Sequence, residues 1–187
     1  MKINRSVLFT VAIIILTVVV KFICAPILSL SGISTVIAVA LFAGMSIHKK
    51  QNTFMLPLIA LIVSDIIIEV LYQFNWFQFS GFYKGQILNY GLLLLSVLVG
   101  WAIKGKSILS IGLGIFAAST IFFILSNLSV WYFGTMYTKD FSGLMLCYES
   151  ALPFYKNQLI STAIFLPIIM FAYNYFIEKK YRVAVSH

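Results

Sequence analysis

Residues 54–72 read FMLPLIALIVSDIIIEVLY, an apolar run that holds two of the chain's five acidic residues. Its length and its Leu, Ile and Val content fit a membrane-spanning helix. Asp65 and Glu69 are four residues apart, so their side chains leave one helix face a single turn from each other. A carboxylate in lipid is costly, and the pair is therefore expected to face a bundle interior, a partner group or a water-filled cavity.

The rest of the chain agrees with a membrane location. Of its 187 residues 61% are hydrophobic and 10% charged, against about 45–50% and about 25% in soluble domains. So small a soluble volume could not bury that much apolar side chain. The net charge of +8 then reads as topology, because no basic stripe or soluble module offers a nucleic-acid surface. Arg5 and the apolar run behind it resemble a signal peptide, but no convincing cleavage site follows, and a retained first span is expected.

Hydropathy places six spans near residues 6–22, 33–47, 54–72, 87–103, 107–127 and 159–177. The fold class is all-α: one polytopic six-helix transmembrane domain over residues 1–187. Span two is short and rich in small residues (Ala38, Ala40, Ala43, Gly44), which permits close helix packing. Pro57 is expected in the first turn of span three and Pro167 at a kink in span six. Residues 73–86 and 128–157 are aromatic connections. The second is too polar and glycine-broken to span, and long for a plain loop. It is expected to form an outer interfacial or re-entrant segment, with a short helix around residues 142–151.

Basic clusters fix the expected orientation. Lys2 and Arg5, His48 with Lys49 and Lys50, Lys104 and Lys106, and Lys179, Lys180 and Arg182 fall on one side of a six-span topology. That side is cytoplasmic, and so are both termini. Lys84, Lys139 and Lys156 fall outside, with Lys21 at the outer end of span one.

Candidate binding residues collect toward the outer side. Asp65 is expected near mid-membrane, with Glu69 one turn further out. Every basic residue falls at a boundary or beyond it, Lys21 coming closest. The two carboxylates are thus expected to share a proton or to receive a cation; the structural alternative is that each only fixes helix packing. Asn127 and Trp131 read either as a helix cap and an interfacial anchor or as lining of the same cavity's mouth. Tyr148 and Asn157 are candidates for an outer lid. Cys24 and Cys147 both fall outside, where a bridge and two free thiols are each allowed. His48 and His187 stand apart from other ligand types, so no metal site is expected. No cofactor is implied, and no nucleophile elbow, zinc-protease motif or P-loop is present in the sequence. Active transport would draw on an ion gradient or on a separate ATPase subunit.

At Ser64-Asp65, Phe123-x-x-x-Asn127-x-x-x-Trp131 and Gly143-Leu144-x-x-Cys147-Tyr148-x-x-Ala151-x-Pro153-Phe154-x-x-Asn157, the chain resembles an uncharacterised family of small bacterial membrane proteins described as transport proteins. That family is in turn similar to the substrate-binding subunits of energy-coupling-factor importers. The resemblance implies a bacterial inner-membrane location, six helices, an outward-facing pocket and a small organic, vitamin-like solute. It also implies a separate coupling membrane subunit. Those importer subunits dock through alanine-spaced residues on the first helix; here span one offers only Ala12 among β-branched residues, and span two supplies Ala40, Ala43 and Gly44. The function expected is capture of a small polar or cationic solute from outside. The alternatives are a membrane assembly subunit and an intramembrane enzyme.

Overall fold

The computed structural model of the protein describes residues 5–46, 50–105 and 107–178. The chain forms α1 (Arg5–Cys24), a 3-10 turn (Leu28–Leu30), α2 (Val36–Ser46), α3 (Lys50–Gln73), α4 (Gln86–Ile103), α5 (Ile108–Phe133) and α6 (Phe141–Tyr173). A short π-helical stretch, Asn174–Glu178, follows α6. This is an all-α polytopic membrane protein, with five helices long and apolar enough to cross a bilayer and a sixth, α2, that is shorter. Large apolar side chains stand exposed along the outer faces, among them Val7, Ile15, Leu113, Phe116, Ile164 and Phe171. A surface of that kind is suited to acyl chains rather than water.

Ring contacts fix which helix ends lie together. Phe9, Phe42 and Tyr173 pack on one another, bringing the start of α1, the end of α2 and the end of α6 to one end of the bundle. Phe54 against Trp101 adds the start of α3 and the end of α4. The opposite end carries Cys24, the segment between α3 and α4, and the turn between α5 and α6. Lys2, His48, Lys49, Lys106, Lys179, Lys180, Arg182 and His187, most of which belong to the basic clusters used for orientation, lie outside the described residues.

α2 is the centre. Val36 through Met45 are all buried, and α3, α4, α5 and α6 pack around it. Its 11 residues rise only about 16 Å at 1.5 Å each, about half a hydrocarbon core. The remaining depth is filled by non-helical chain. The Thr17 and Thr35 hydroxyls meet at 2.9 Å, so α2 begins two turns inside the end of α1; residues 25–29 are exposed, and the chain dips into the bundle over residues 30–35. Irregular backbone is tolerated at such depth only where protein or a wet cavity satisfies its polar groups. The Asn157 amide donates to the Ser29 and Ser31 carbonyls at 2.8 Å each, and the Ser34 N–H donates to Ser161 Oγ at 3.2 Å.

Three sequence expectations are corrected. The segment 128–157 is not a separate interfacial element. α5 runs to Phe133, only residues 134–140 are non-helical, and α6 is continuous for 33 residues. The Asp140 carboxylate caps α6 by accepting from the Gly143 N–H at 2.7 Å. This bond, with that from the Thr138 hydroxyl, holds the Asp140 carboxyl below the usual range. Gly143, Cys147 and Ala151, buried at every fourth position, give α6 a small-residue stripe, and Cys147 Sγ lies 3.5 Å from the Asn127 carbonyl of α5. Residues that looked like helix breakers are one packed helix face. Second, six full crossings are not present among the described residues, since α2 is too short. Third, α3 starts at Lys50, so Pro57 lies inside the helix and not in its first turn. Cys24 and Cys147 are free thiols.

Candidate functional site

Asp65 is buried and receives three donors. Lys21 of α1 forms an ion pair with Oδ1. The Gln86 amide donates to Oδ2 at 2.6 Å, and the Tyr90 hydroxyl donates to the same oxygen. Lys21 also donates to Ser64 Oγ at 2.9 Å. The expectation that no basic residue offsets Asp65 is therefore wrong. α1 packs along α3, and this brings Lys21 in from the helix end. Lys21 lies one turn from the end of α1, and Gln86 opens α4, so the pair sits beneath the segment joining α3 to α4, while Asp65 itself lies near the middle of the apolar 53–73 stretch of α3.

That segment is held down on α3. Glu69 accepts from Ser80 Oγ at 2.7 Å, from the Gly81 N–H at 2.9 Å and from the Gln73 amide at 3.1 Å. Gly81 lies so close to α3 that an added Cβ would meet the Glu69 nitrogen at 2.6 Å, so only glycine fits there. Gln86 joins the two layers, donating to the Gly81 carbonyl at 2.9 Å as well as to Asp65. Asp65 and Glu69 share a helix face but take separate partners, and the shared proton expected for them has no geometric basis. Replacing Glu69 with Ala is expected to speed hydrogen exchange across residues 74–85 while leaving the bundle's unfolding transition nearly unchanged. An equal effect on both would show that this segment folds with the core.

Beneath the segment is a cavity of about 210 Å³. Its polar wall is Lys21, Ser34, Asp65, Tyr83, Asn89, Tyr90 and Gln158; Val36, Ile37, Leu61, Leu93 and Phe122 form the apolar wall. Asn89 Nδ2 donates to the Tyr83 hydroxyl oxygen at 2.9 Å. Burial pushes the Tyr83 phenol up; the Asn89 bond opposes this and the Asp65 charge adds to it, so Tyr83 stays a hydroxyl donor at neutral pH. A wider hollow of about 550 Å³ adjoins it, lined by residues of the dipping segment, Phe79 and the same Lys21. At the other end of the bundle a groove of about 650 Å³ between α1 and α6 is almost wholly apolar, with Arg5 at its edge. It lacks the converging polar groups that fix a solute's orientation.

Of the residues singled out from sequence, only Asp65 lines the 210 Å³ cavity. Asn157 pins the dipping segment. Asn127 bonds its own helix at Phe123 O, the Trp131 indole donates to the Thr138 carbonyl, and Tyr148 donates to the Ile124 carbonyl; all three bonds lie within the α5–α6 hairpin. Lys21, Tyr83, Asn89, Tyr90 and Gln158 were missed. Gln86 and Tyr90, four apart at the start of α4, carry a readable signal, since both project from one face. Lys21 was visible as the one lysine inside an apolar run.

Fold and site together define a multi-pass, all-helical membrane protein with a small amphipathic cavity beneath one end. The chain belongs to the family of unknown function DUF6580, whose model matches residues 1–184. No curated protein matches it, and no solved structure does.

Proposed function

We propose that the protein binds a small organic solute in the cavity beneath the α3–α4 segment, as the membrane subunit of an importer. The observation that carries this reading is the dipping segment between α1 and α2. Non-helical backbone is expensive in a membrane, and here it forms the wall of one hollow and, through Ser34, of the next. A chain that needed only to pack could have kept a full-length second helix. The cavity's two walls, polar and apolar, are the usual make-up of a small-molecule site. On the resemblance read from the sequence motifs, a separate ATPase and coupling membrane subunit would supply the energy.

Basic residues orient the protein with the Arg5 end cytoplasmic and the cavity end outside. In a background with Cys24→Ser and Cys147→Ala, cysteines at Lys84 and Thr135 are expected to react with an impermeant maleimide on intact cells, and one at Lys104 only after lysis. The reverse pattern would turn the cavity inward and end the import reading.

The binding test is direct. Protein extracted in mild detergent is expected to release a near-stoichiometric small molecule on denaturation, and Leu93→Trp, which fills the cavity, is expected to carry none. Equal small-molecule content in both folded proteins, or none in either, would remove the solute site. It would leave the structural reading, in which the Lys21–Asp65 pair only locks α1 to α3.

A further inference from the structure

We infer that the cavity selects a solute bearing a carboxylate or another anionic acceptor group, held by the unused hydrogens of Lys21, Tyr83 and Asn89; this rests on the solute-binding reading above. Sequence alone pointed to a polar or cationic solute, because the acids stood inside a span and the basic residues at its boundaries. The structure reverses the balance of free groups. Asp65 and Lys21 match each other's charge, and Asp65 takes two further donors from Gln86 and Tyr90, which leaves about one of its four lone-pair positions for an incoming donor. Glu69 is occupied by the α3–α4 segment and lines neither hollow.

The donors are not exhausted. An ammonium has three hydrogens, and Lys21 uses two, on Asp65 and Ser64. Among the described residues it is the one basic side chain lining the cavity, and it lines the wider hollow too, so it stands at the border between them. The Tyr83 hydroxyl accepts from Asn89 and keeps its own hydrogen to donate, and Asn89 keeps a second amide hydrogen. Val36 and Ile37, the first residues of α2, form part of the wall, so the positive end of that helix's dipole adds to the field there. The apolar wall of Leu61, Leu93 and Phe122 suits a hydrocarbon or ring body. A cavity of about 210 Å³ suits a small molecule.

The test uses matched probes on the full chain in detergent at fixed ionic strength: benzoate and cyclohexanecarboxylate against benzylammonium and cyclohexylammonium. The carboxylates are expected to raise Tm in a concentration-dependent way, and the ammonium probes to leave it unchanged. In Lys21→Gln/Asp65→Asn, which keeps hydrogen-bonding groups at both positions but removes both charges, the carboxylate shift is expected to disappear. Tyr83→Phe, which leaves the ion pair intact, is expected to weaken carboxylate binding by about tenfold, the cost of a charge-assisted hydrogen bond. A shift by the ammonium probes, no shift by either class, or a carboxylate shift that survives in the doubly neutral variant would each overturn the anion assignment. None of these outcomes touches the solute-binding reading, which fails only if Leu93→Trp leaves the copurifying small molecule in place or none is found in either protein.

Discussion

Lys21→Met is expected to destabilise the protein by about 3–5 kcal/mol, the usual cost of leaving one partner of a buried ion pair uncompensated. Asp65 retains 9% side-chain exposure against 24% for Lys21, so the two single substitutions are not equivalent. After Lys21→Met the carboxylate keeps Gln86 and Tyr90 but has lost its counter-charge. After Asp65→Leu the lysine stem can swing its ammonium toward the wider hollow it already lines, and the loss is expected near the lower end of that range. The double variant Lys21→Met/Asp65→Leu is expected to recover most of the deficit, because an apolar pair of similar volume avoids the desolvation penalty altogether. Thermal unfolding of the four proteins in one detergent gives the coupling as a double-mutant cycle. Strictly additive losses would show that the two charges are neighbours and not an energetic unit.

That pair also marks where sequence reading stops. The 54–72 run revealed a membrane helix and a charge that needed a partner, because both follow from composition and helical spacing within one segment. The partner's identity depends on which helix lies alongside, and Lys21 is 44 positions away. Span four was legible to within a residue, since apolar length and flanking lysines mark its ends. The start of α6 was not, because the polar, glycine-broken run around Gly143 read as a connection in isolation. Only the four-residue spacing of Gly143, Cys147 and Ala151 says that a glycine there serves packing. Glu69 was misassigned for a related reason. Its helix face was known, but the segment that folds back and claims it through Ser80 and Gly81 was not. Trp131 read as an interfacial anchor or as cavity lining, and Tyr148 as part of an outer lid, because aromatic side chains near an outer boundary serve anchoring and binding equally well. Both bond within the α5–α6 hairpin.

Gly100→Ala is the second large effect. α2 and α4 cross where Gly44 faces Gly100, and a Cβ built on Gly44 would lie 2.9 Å from the Gly100 Cα. A Cβ on Gly100 would be driven into the Leu41 carbonyl oxygen and would come within 3.0 Å of the Gly44 Cα. Both obstacles are backbone, so no rotamer change relieves them, and α2 is buried on every side. Its one route of escape is to shift as a body. The expected cost is about 3 kcal/mol, the upper part of the range for overpacking, net of up to about 1 kcal/mol gained from alanine's better helix propensity. A shift of α2 also moves Val36 and Ile37 in the cavity wall, so solute content is expected to fall even in the fraction that remains folded. Gly114→Ala supplies the internal control: its added Cβ meets only the Ile103 side chain, which can rotate away, and its cost is expected below about 1 kcal/mol. Thermal unfolding and copurified small-molecule content, measured on both variants, separate the cases. Equal costs would mean that the α2–α4 crossing has slack. A Gly100→Ala protein that lost stability but kept its full solute content would uncouple α2's position from the cavity.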